Sequence, residues 1–126
     1  MSTVTDLVHD LIEHLKEGKI LDAFEKHYAE NVEMAESRGE PTVGKDANRE
    51  REKQFLASVK EWKGLSITAL GVSPEGNDSG TGVSFLEYDF DFINQDDEPI
   101  RYEQVAVQTW ENGKIVRERF YYDPGA

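Results

Sequence analysis

Cysteine is absent from this chain of 126 residues, and basic residues are scarce. The lack of thiols excludes disulfide bonds, thiolate nucleophiles and cysteine-based metal sites, and it suits a reducing cytoplasm, where we expect the protein to lie. The 14 Lys and Arg residues stand against 26 Asp and Glu residues, so the formal net charge is -12. Because this charge repels phosphate groups, we expect no nucleic-acid partner.

Long apolar runs are also missing. No stretch approaches the roughly 20 apolar residues that a membrane-spanning helix needs. Residues 1–10 contain neither the basic nor the apolar segment of a signal peptide. We therefore expect no membrane partner. The length is typical of one domain, and we predict a single domain over residues 1–126.

Helices are predicted in the first half of the chain. Apolar residues recur every three or four positions over 4–15 and again over 20–28, which predicts two amphipathic helices separated at Gly18. A third helix is predicted from about residue 46 to residue 62, with Gly64 as its stop signal.

Strands are predicted mainly in the second half, after a short strand at 31–36. Runs rich in β-forming residues or alternating in polarity cover 65–72, 82–94, 100–111 and 114–122. Asn112-Gly113 predicts a tight hairpin between the last two runs. Helices followed by such a meander predict an α+β domain, with the helices packed on one face of an antiparallel sheet.

Three segments resemble those of a known family. They are YAENV at 28–32, PTVGKD at 41–46, and WENGKI at 110–115 with the ending RFYYD at 119–123. Together they resemble the SnoaL-like group of the NTF2-like superfamily. The resemblance implies a cone in which three N-terminal helices pack on a curved antiparallel sheet and enclose a pocket. The superfamily includes isomerases, polyketide cyclases, epoxide hydrolases, dehydratases and proteins that bind without catalysis, so fold does not settle activity.

The resemblance also suggests catalytic positions. Ketosteroid isomerases of this superfamily carry a general-base carboxylate eight positions after the tyrosine of the first motif, which is Glu36 here. A tyrosine of their hydrogen-bond network matches Tyr28. Their two oxyanion donors fall on Leu11 and Ala106, which cannot donate a hydrogen bond. Steroid isomerisation by that mechanism is therefore disfavoured.

Two further comparisons within the superfamily concern the last strand. The aspartate that limonene epoxide hydrolases use there falls on Phe120, which disfavours that chemistry. SnoaL-like cyclases use a carboxylate near the end of the chain, for which Glu118 and Asp123 are both candidates. If Glu118 points inward it needs a partner, because a lone buried charge is costly, and Arg51 is one candidate for that role.

Alternation in the last two strands, read with the resemblance, predicts which side chains face the pocket. The run 82–94 stays open, because a slip of one residue exchanges its two faces: either Tyr88 and Phe90 point inward, or Glu87 and Asp89 do. The predicted ligand-binding residues are Leu11, Arg51, Phe55, Tyr102, Gln104, Ala106, Gln108, Trp110, Phe120 and Tyr122. Val116 shares the predicted inward parity.

These residues support two functional hypotheses. In the first, the protein is an isomerase, cyclase or lyase acting on a small, mostly apolar carbonyl compound without a cofactor. Glu36 then moves the proton, because burial raises the pKa of a carboxylate towards neutrality, and Tyr28 and Tyr122 donate hydrogen bonds. Glu118 is the further catalytic candidate. In the second, the pocket binds a small ligand without catalysis, or the domain is a protein-interaction module.

Metal binding is disfavoured by the histidine pattern. His9 with Glu13, and Asp10 with His14, are spaced to meet on one face of the first helix. Each pair still lacks a convincing third ligand, and protein zinc sites need at least three. We therefore predict no metal site.

A homodimer is predicted through the convex face of the sheet. Val105 and Val107 have the opposite parity to the predicted pocket residues, and Ile115 and Tyr121 are assigned to the same outward face. A large exposed apolar patch marks an interface, and the resemblance also implies dimers formed between sheets. Arginines with outward parity, available to pair with Glu103 across the contact, are Arg101, Arg117 and Arg119.

Overall fold

The computed structural model describes residues 3–37, 39–73 and 78–122. Within these ranges the helices and strands follow one another in an α+β order, as predicted. Their bounds are α1 (Val4–Lys16), α2 (Ile20–His27), β1 (Tyr28–Glu36), β2 (Thr42–Val43), α3 (Lys45–Ser58), β3 (Val59–Val72), β4 (Gly82–Asn94), β5 (Pro99–Glu111) and β6 (Lys114–Tyr122), with a short 3₁₀ turn at Asp78–Gly80.

The first helix forms as its sequence predicts. The Thr3 hydroxyl accepts a hydrogen bond from the Asp6 backbone N–H at 3.2 Å, and the Asp6 carboxylate accepts one from the Thr3 N–H at 3.4 Å. This reciprocal cap satisfies two donors that a helix start otherwise leaves unpaired. Val8 and Leu11 lie on the apolar stripe and are fully buried against the sheet.

The sheet differs from the prediction in one pairing. Its six described strands run in the order β2-β1-β6-β5-β4-β3. Four neighbouring pairs are antiparallel, whereas β1 and β6 are parallel. The hairpins of the meander fix the direction of β6, and its free edge then meets β1 running the same way. The sheet is therefore mixed, although the predicted α+β cone is confirmed.

The third helix ends earlier than predicted. It stops at Ser58, and the predicted helical residues Val59 to Trp62 instead begin β3. Val59 and Trp62 pair with Asn94 and Phe92 of β4, and β-branched and aromatic side chains pack well on such a surface. Gly64, predicted to stop the helix, lies inside β3 at a register shift with a φ of +154°.

Burial settles which face of β4 points inward. Leu86, Tyr88, Phe90 and Phe92 are all buried on the concave face, whereas Glu87 is exposed on the convex face. The concave face of the sheet and the three helices share one apolar core. Three of its buried aromatic residues, Tyr88, Phe90 and Phe92, come from β4.

The predicted inward and outward alternation of β6 is wrong at Ile115. It was expected on the convex face but is fully buried in the core. The register between β5 and β6 shifts between Thr109 and Trp110, so that Trp110 pairs with Ile115 and Thr109 pairs with Arg117. Val116 is the extra residue of this bulge, and such a residue reverses the inward and outward alternation.

The convex face carries an apolar patch that differs from the predicted one, with Phe85 present and Ile115 absent. Phe85 and Tyr121 are 45% and 48% exposed, and Val105 and Val107 lie between them on β5. We call these four residues the convex patch. Arg101, expected to pair across a dimer contact, instead contacts Asp89, Asp91 and Glu103 of its own chain. The homodimer stays a prediction.

We expect Val107→Glu to convert a dimer to a monomer, because the new charge would be buried at the centre of an apolar contact. Sedimentation velocity at micromolar concentration measures this directly. Gln54→Glu adds the same charge to an exposed position of α3 and serves as the matched control. A monomeric wild type, or a Val107→Glu protein that stays dimeric, would contradict the prediction.

Candidate functional site

A cavity of about 370 Å³ lies between the helices and the concave face of the sheet. Leu11 and Phe24 form part of its helical wall, and Leu86 and Phe90 form part of its sheet wall. Asn48 fixes the position of α3 over this space: its side-chain amide donates to the backbone carbonyls of Thr42 at 2.9 Å and Gly44 at 2.8 Å. The helix that closes the cavity is thus tied to β2 at its start.

The floor of the cavity holds a buried carboxylate. Glu118 on β6 is 2% exposed. The Tyr28 hydroxyl donates to its Oε1 at 2.5 Å, and the Gln108 amide donates to its Oε2 at 2.9 Å. Both oxygens of this carboxylate are therefore hydrogen-bonded, although no cationic side chain of the described residues lies within ion-pair distance. Arg51, the partner predicted from the sequence, does not reach it.

A second set of hydrogen bonds orients Gln108. The Trp110 indole N–H donates to the Ser84 hydroxyl at 2.9 Å, and Ser84 donates to Gln108 Oε1 at 2.7 Å. The Ser84 hydroxyl thus accepts from the indole and gives its one hydrogen to Gln108 Oε1. The amide NH₂ of Gln108 must consequently face Glu118. We call this row, from Trp110 through Ser84 and Gln108 to Glu118, the buried polar row.

Burial is the largest influence on the pKa values of the two ionisable groups on the cavity floor, Glu118 and Tyr28. Loss of hydration raises the pKa of Glu118 to about 7, although the bonds from Tyr28 and Gln108 oppose the rise. Burial, and then the charge of Glu118, hold the pKa of Tyr28 well above its usual value. Glu118 can therefore exchange a proton near neutral pH, whereas Tyr28 stays protonated.

Glu52 is a second cavity carboxylate that the sequence analysis missed. It lies on the inner side of α3 and lines the cavity. Burial raises its pKa, and the nearby Arg51 guanidinium lowers it by less. Its position four residues after Asn48 and three before Phe55 places it on the stripe of α3 that faces inward. That spacing was the available signal, but the charged run around it suggested a solvated face.

The rim of the cavity carries the residue that the resemblance favoured. Glu36 ends β1, and its side chain is 52% exposed. It accepts a hydrogen bond from the Tyr122 hydroxyl at 2.9 Å and lies 3.7 Å from the Arg51 guanidinium. Glu36 is thus a solvated and paired carboxylate, rather than the dry one that the general-base hypothesis expects.

A further tyrosine lies between rim and floor. Tyr88 on β4 accepts a hydrogen bond from the Gln104 amide at 2.5 Å. Burial raises the pKa of Tyr88, and the charge of Glu118 raises it further. The hydroxyl hydrogen of Tyr88 has no acceptor in the part of the chain that the structure describes. It is therefore available to a ligand, and the sequence pattern had left its direction open.

Aromatic rings form much of the remaining wall. Trp62 stacks on Phe90 with ring centroids 5.7 Å apart, and Phe55 meets Phe90 edge-on at 5.9 Å. Tyr102 packs on the same ring at 5.3 Å. The Trp62 indole N–H is buried and has no hydrogen-bond partner among residues 3–37, 39–73 and 78–122.

The predicted site residues divide into two groups. Those that line the cavity are Glu36, Tyr28, Glu118, Leu11, Arg51, Phe55, Tyr102, Gln104, Gln108, Phe120 and Tyr122. Ala106 and Trp110 do not line it, although both point to the concave side and are fully buried. Trp110 instead packs on the His27 ring, with centroids 5.7 Å apart. Asp123 lies outside the described residues.

His27 joins the predicted pair of Asp10 and His14, a contact that the sequence did not indicate. His27 Nε2 lies 2.7 Å from Asp10 Oδ2, and His14 Nδ1 lies 3.4 Å from the same oxygen. Lys26 also contacts that oxygen at 2.8 Å. Loss of hydration lowers the pKa of the buried His27. Because an ammonium group and two rings already surround the carboxylate oxygen, hydrogen bonding accounts for this arrangement.

The raised pKa of Glu118 predicts a pH-dependent stability. Between its unfolded pKa near 4.5 and its folded pKa of about 7, the folded state holds a proton that the unfolded state releases. The free energy of unfolding therefore falls as pH rises through this window, by about 3 kcal/mol from this group. Glu118→Gln removes that loss, so its stability advantage over the wild type should grow from pH 5 to pH 8.

Chemical denaturation at pH 5, 6, 7 and 8 measures this difference. The comparison with the wild type is necessary, because the lowered pKa of His27 makes stability rise with pH in the same region. Glu111→Gln, at an exposed end of β5, is the control and should differ from the wild type by a constant amount. A constant difference for Glu118→Gln would show that burial does not raise its pKa.

Comparisons with known proteins agree with this architecture. The model of the SnoaL-like domain family matches residues 8–118. A Mesorhizobium loti protein named for its likeness to SnoaL-like polyketide cyclases shares 26% identity and a TM-score of 0.70, over 95% of this chain and 99% of that one. No significant match is found among curated proteins.

Two other solved structures share the fold at lower identity. An NTF2-like protein of unknown function from Burkholderia pseudomallei has 16% identity and a TM-score of 0.76, over 98% of this chain and 92% of that one. An epoxide hydrolase from Mycobacterium tuberculosis has 12% identity and a TM-score of 0.71, over 95% of this chain and 78% of that one. Together with the family match over residues 8–118, the cone and its cavity show that the chain belongs to the SnoaL-like family of NTF2-like fold.

Proposed function

We propose that this protein is a SnoaL-like enzyme, an isomerase, cyclase or lyase, that moves a proton on a small, mostly apolar carbonyl compound. Glu118 is the proton carrier. The observation that carries the proposal is a buried carboxylate, hydrogen-bonded by Tyr28 and Gln108 but without a cation among the described residues, on the floor of a mostly apolar cavity. Burial there raises its pKa to about 7. The similar solved structures include proteins named for cyclase and isomerase likeness. The cysteine-free composition of this chain suits action in the cytoplasm.

The ionised Glu118 would remove a proton from the carbon next to the substrate carbonyl. The electron pair of the broken C–H bond then forms a C–C double bond, and the carbonyl oxygen takes up the negative charge. Return of the proton to another carbon completes an isomerisation. Attack on a second carbonyl completes a cyclisation, and loss of a leaving group completes an elimination. All three reactions share this first step.

The developing oxyanion needs a hydrogen-bond donor, which is commonly a large catalytic contribution. The two family positions for this role hold Leu11 and Ala106, which cannot supply one. Tyr88 is the candidate in this chain, because its hydroxyl accepts from Gln104 and keeps its own hydrogen for the ligand. Tyr28 is already committed to Glu118.

Glu118 suits the role of base better than Glu36 does. A base that acts at neutral pH should have a pKa near 7 and lie where water is excluded. Glu118 meets both conditions, whereas Glu36 is half exposed and engaged by Tyr122 and Arg51. We assign Glu36, Arg51 and Tyr122 to the rim, away from the reacting carbon.

The second candidate is binding without catalysis. The unfilled cavity supports a ligand-binding role in either case. It gives less support to a module that acts only through its surface, because such a module does not need an open cavity. Turnover separates the two remaining candidates.

We expect Glu118→Gln to abolish exchange of the α-protons of small cyclic ketones for deuterium, followed by proton NMR in D₂O. For the wild type, the rate should rise with pH through about 7, because the ionised form of Glu118 is the base. Tyr88→Phe should lower kcat by about 100-fold, within the range for loss of an oxyanion donor, with little change in KM.

Glu36→Gln is the matched control, since it makes the same chemical change at the rim. It should retain most of the turnover. Loss of turnover in Glu36→Gln with retention in Glu118→Gln would transfer the base role to Glu36. Absence of wild-type exchange over the whole ketone panel, with binding retained, would favour the non-catalytic alternative.

A further inference from the structure

The charged groups that line the cavity are unbalanced. Three carboxylates and one guanidinium face it, from Glu36, Glu52, Glu118 and Arg51, and no lysine or histidine is among the described lining residues. Arg51 is engaged at the rim by Glu36 and by the Thr42 hydroxyl. Glu52 and Glu118 are therefore left without an ion-pair partner in the described part of the chain.

The walls around these carboxylates are aromatic. Trp62, Phe55, Tyr88 and Tyr102 surround or adjoin Phe90, with neighbouring ring centroids 5.3 to 6.0 Å apart. Aromatic faces attract cations through their quadrupoles, and the effect grows when water is excluded. An enclosed cavity with both features differs from an acidic surface cluster, because a cation inside it meets carboxylates and rings together.

We infer that the ligand of this cavity is a compact, mostly apolar molecule that carries a protonated amine. The inference rests on the proposed function in one respect, that this cavity is the ligand site. A neutral ligand would leave the ionised forms of Glu52 and Glu118 without a counter-charge, and an anionic ligand would be repelled by them. An ammonium group replaces the hydration that burial removes from the carboxylates, and the hydrocarbon part occupies the aromatic wall.

Binding of such a cation is linked to protons. An ammonium group favours the ionised forms of Glu52 and Glu118, so binding near pH 6.5 should release protons, and affinity should rise with pH. The other titratable groups that face them are Arg51 of α3, Glu36 and Tyr28 of β1, Tyr88 of β4, Tyr102 of β5 and Tyr122 of β6. The lining residues of α1, α2 and β3 are not ionisable.

Three ring-matched probes test the inference by isothermal titration calorimetry. They are phenethylamine, 2-phenylethanol and 3-phenylpropionate, which are cationic, neutral and anionic. We expect the amine to bind at least tenfold more tightly than the alcohol at pH 8, and the anion not to bind. The preference should shrink at pH 5.5. Titrations at pH 6.5 in two buffers of different ionisation enthalpy should show proton release.

Two variants locate the charge responsible. Glu52→Gln should lose most of the amine preference, about tenfold in affinity, and should keep its affinity for the alcohol. Glu50→Gln removes the same charge from an exposed position of α3 that does not line the cavity. It should bind all three probes as the wild type does, which controls for the long-range effect of net charge.

Equal binding of amine and alcohol by the wild type would overturn the inference. So would an undiminished amine preference in Glu52→Gln, or failure of all three probes to bind at millimolar concentration. Failure of the proposed function in the ketone assay can be told apart from failure of this inference. Turnover that depends on Glu118 without amine preference would retain the proposed function alone. Amine preference without turnover would retain the inference and remove the catalytic role.

Discussion

The hydrogen bond from Gln108 to Glu118 is the interaction on which the candidate site depends. A buried carboxylate without a cation is costly unless its oxygens are hydrogen-bonded. The buried polar row orients that bond, because Ser84 donates to Gln108 Oε1 and leaves the Gln108 amide NH₂ facing Glu118. With Tyr28 on the other oxygen, the carboxylate is held in place while its pKa stays near neutrality. A group that can exchange a proton near neutral pH is thus held in a fixed geometry.

Most of the fold was predictable from local patterns. The capped apolar stripe of α1, the Asn112-Gly113 hairpin and the alternation of β5 are each encoded within a few residues. The parallel pairing of β1 with β6 depends instead on residues far apart in the chain. The boundary of α3 was mispredicted for a related reason: Val59 and Trp62 form a strand because β4 lies beside them.

The candidate site was predictable in outline but not in its assignments. The alternation of β5 and β6 placed Gln108 and Glu118 on the inner face, as the structure has them. The depth of each carboxylate could not be predicted, because it depends on how far α3 covers each strand. Glu36 and Glu118 both point to the cavity, yet only Glu118 is dry. Glu52 was missed because the charged residues on either side of it suggested a solvated face of the helix.

The same row of hydrogen bonds also limits the routes that a proton can take. Neither the Gln108 amide nor the Trp110 indole takes up a proton near neutral pH, so none can be passed from Glu118 along the row. The cavity that Glu118 lines is then the route by which its protons leave and by which a ligand enters. A ligand that fills the cavity would block this exit, and the removed proton would then return to the same molecule. The size of the ligand would thereby decide between transfer within one molecule and loss to solvent.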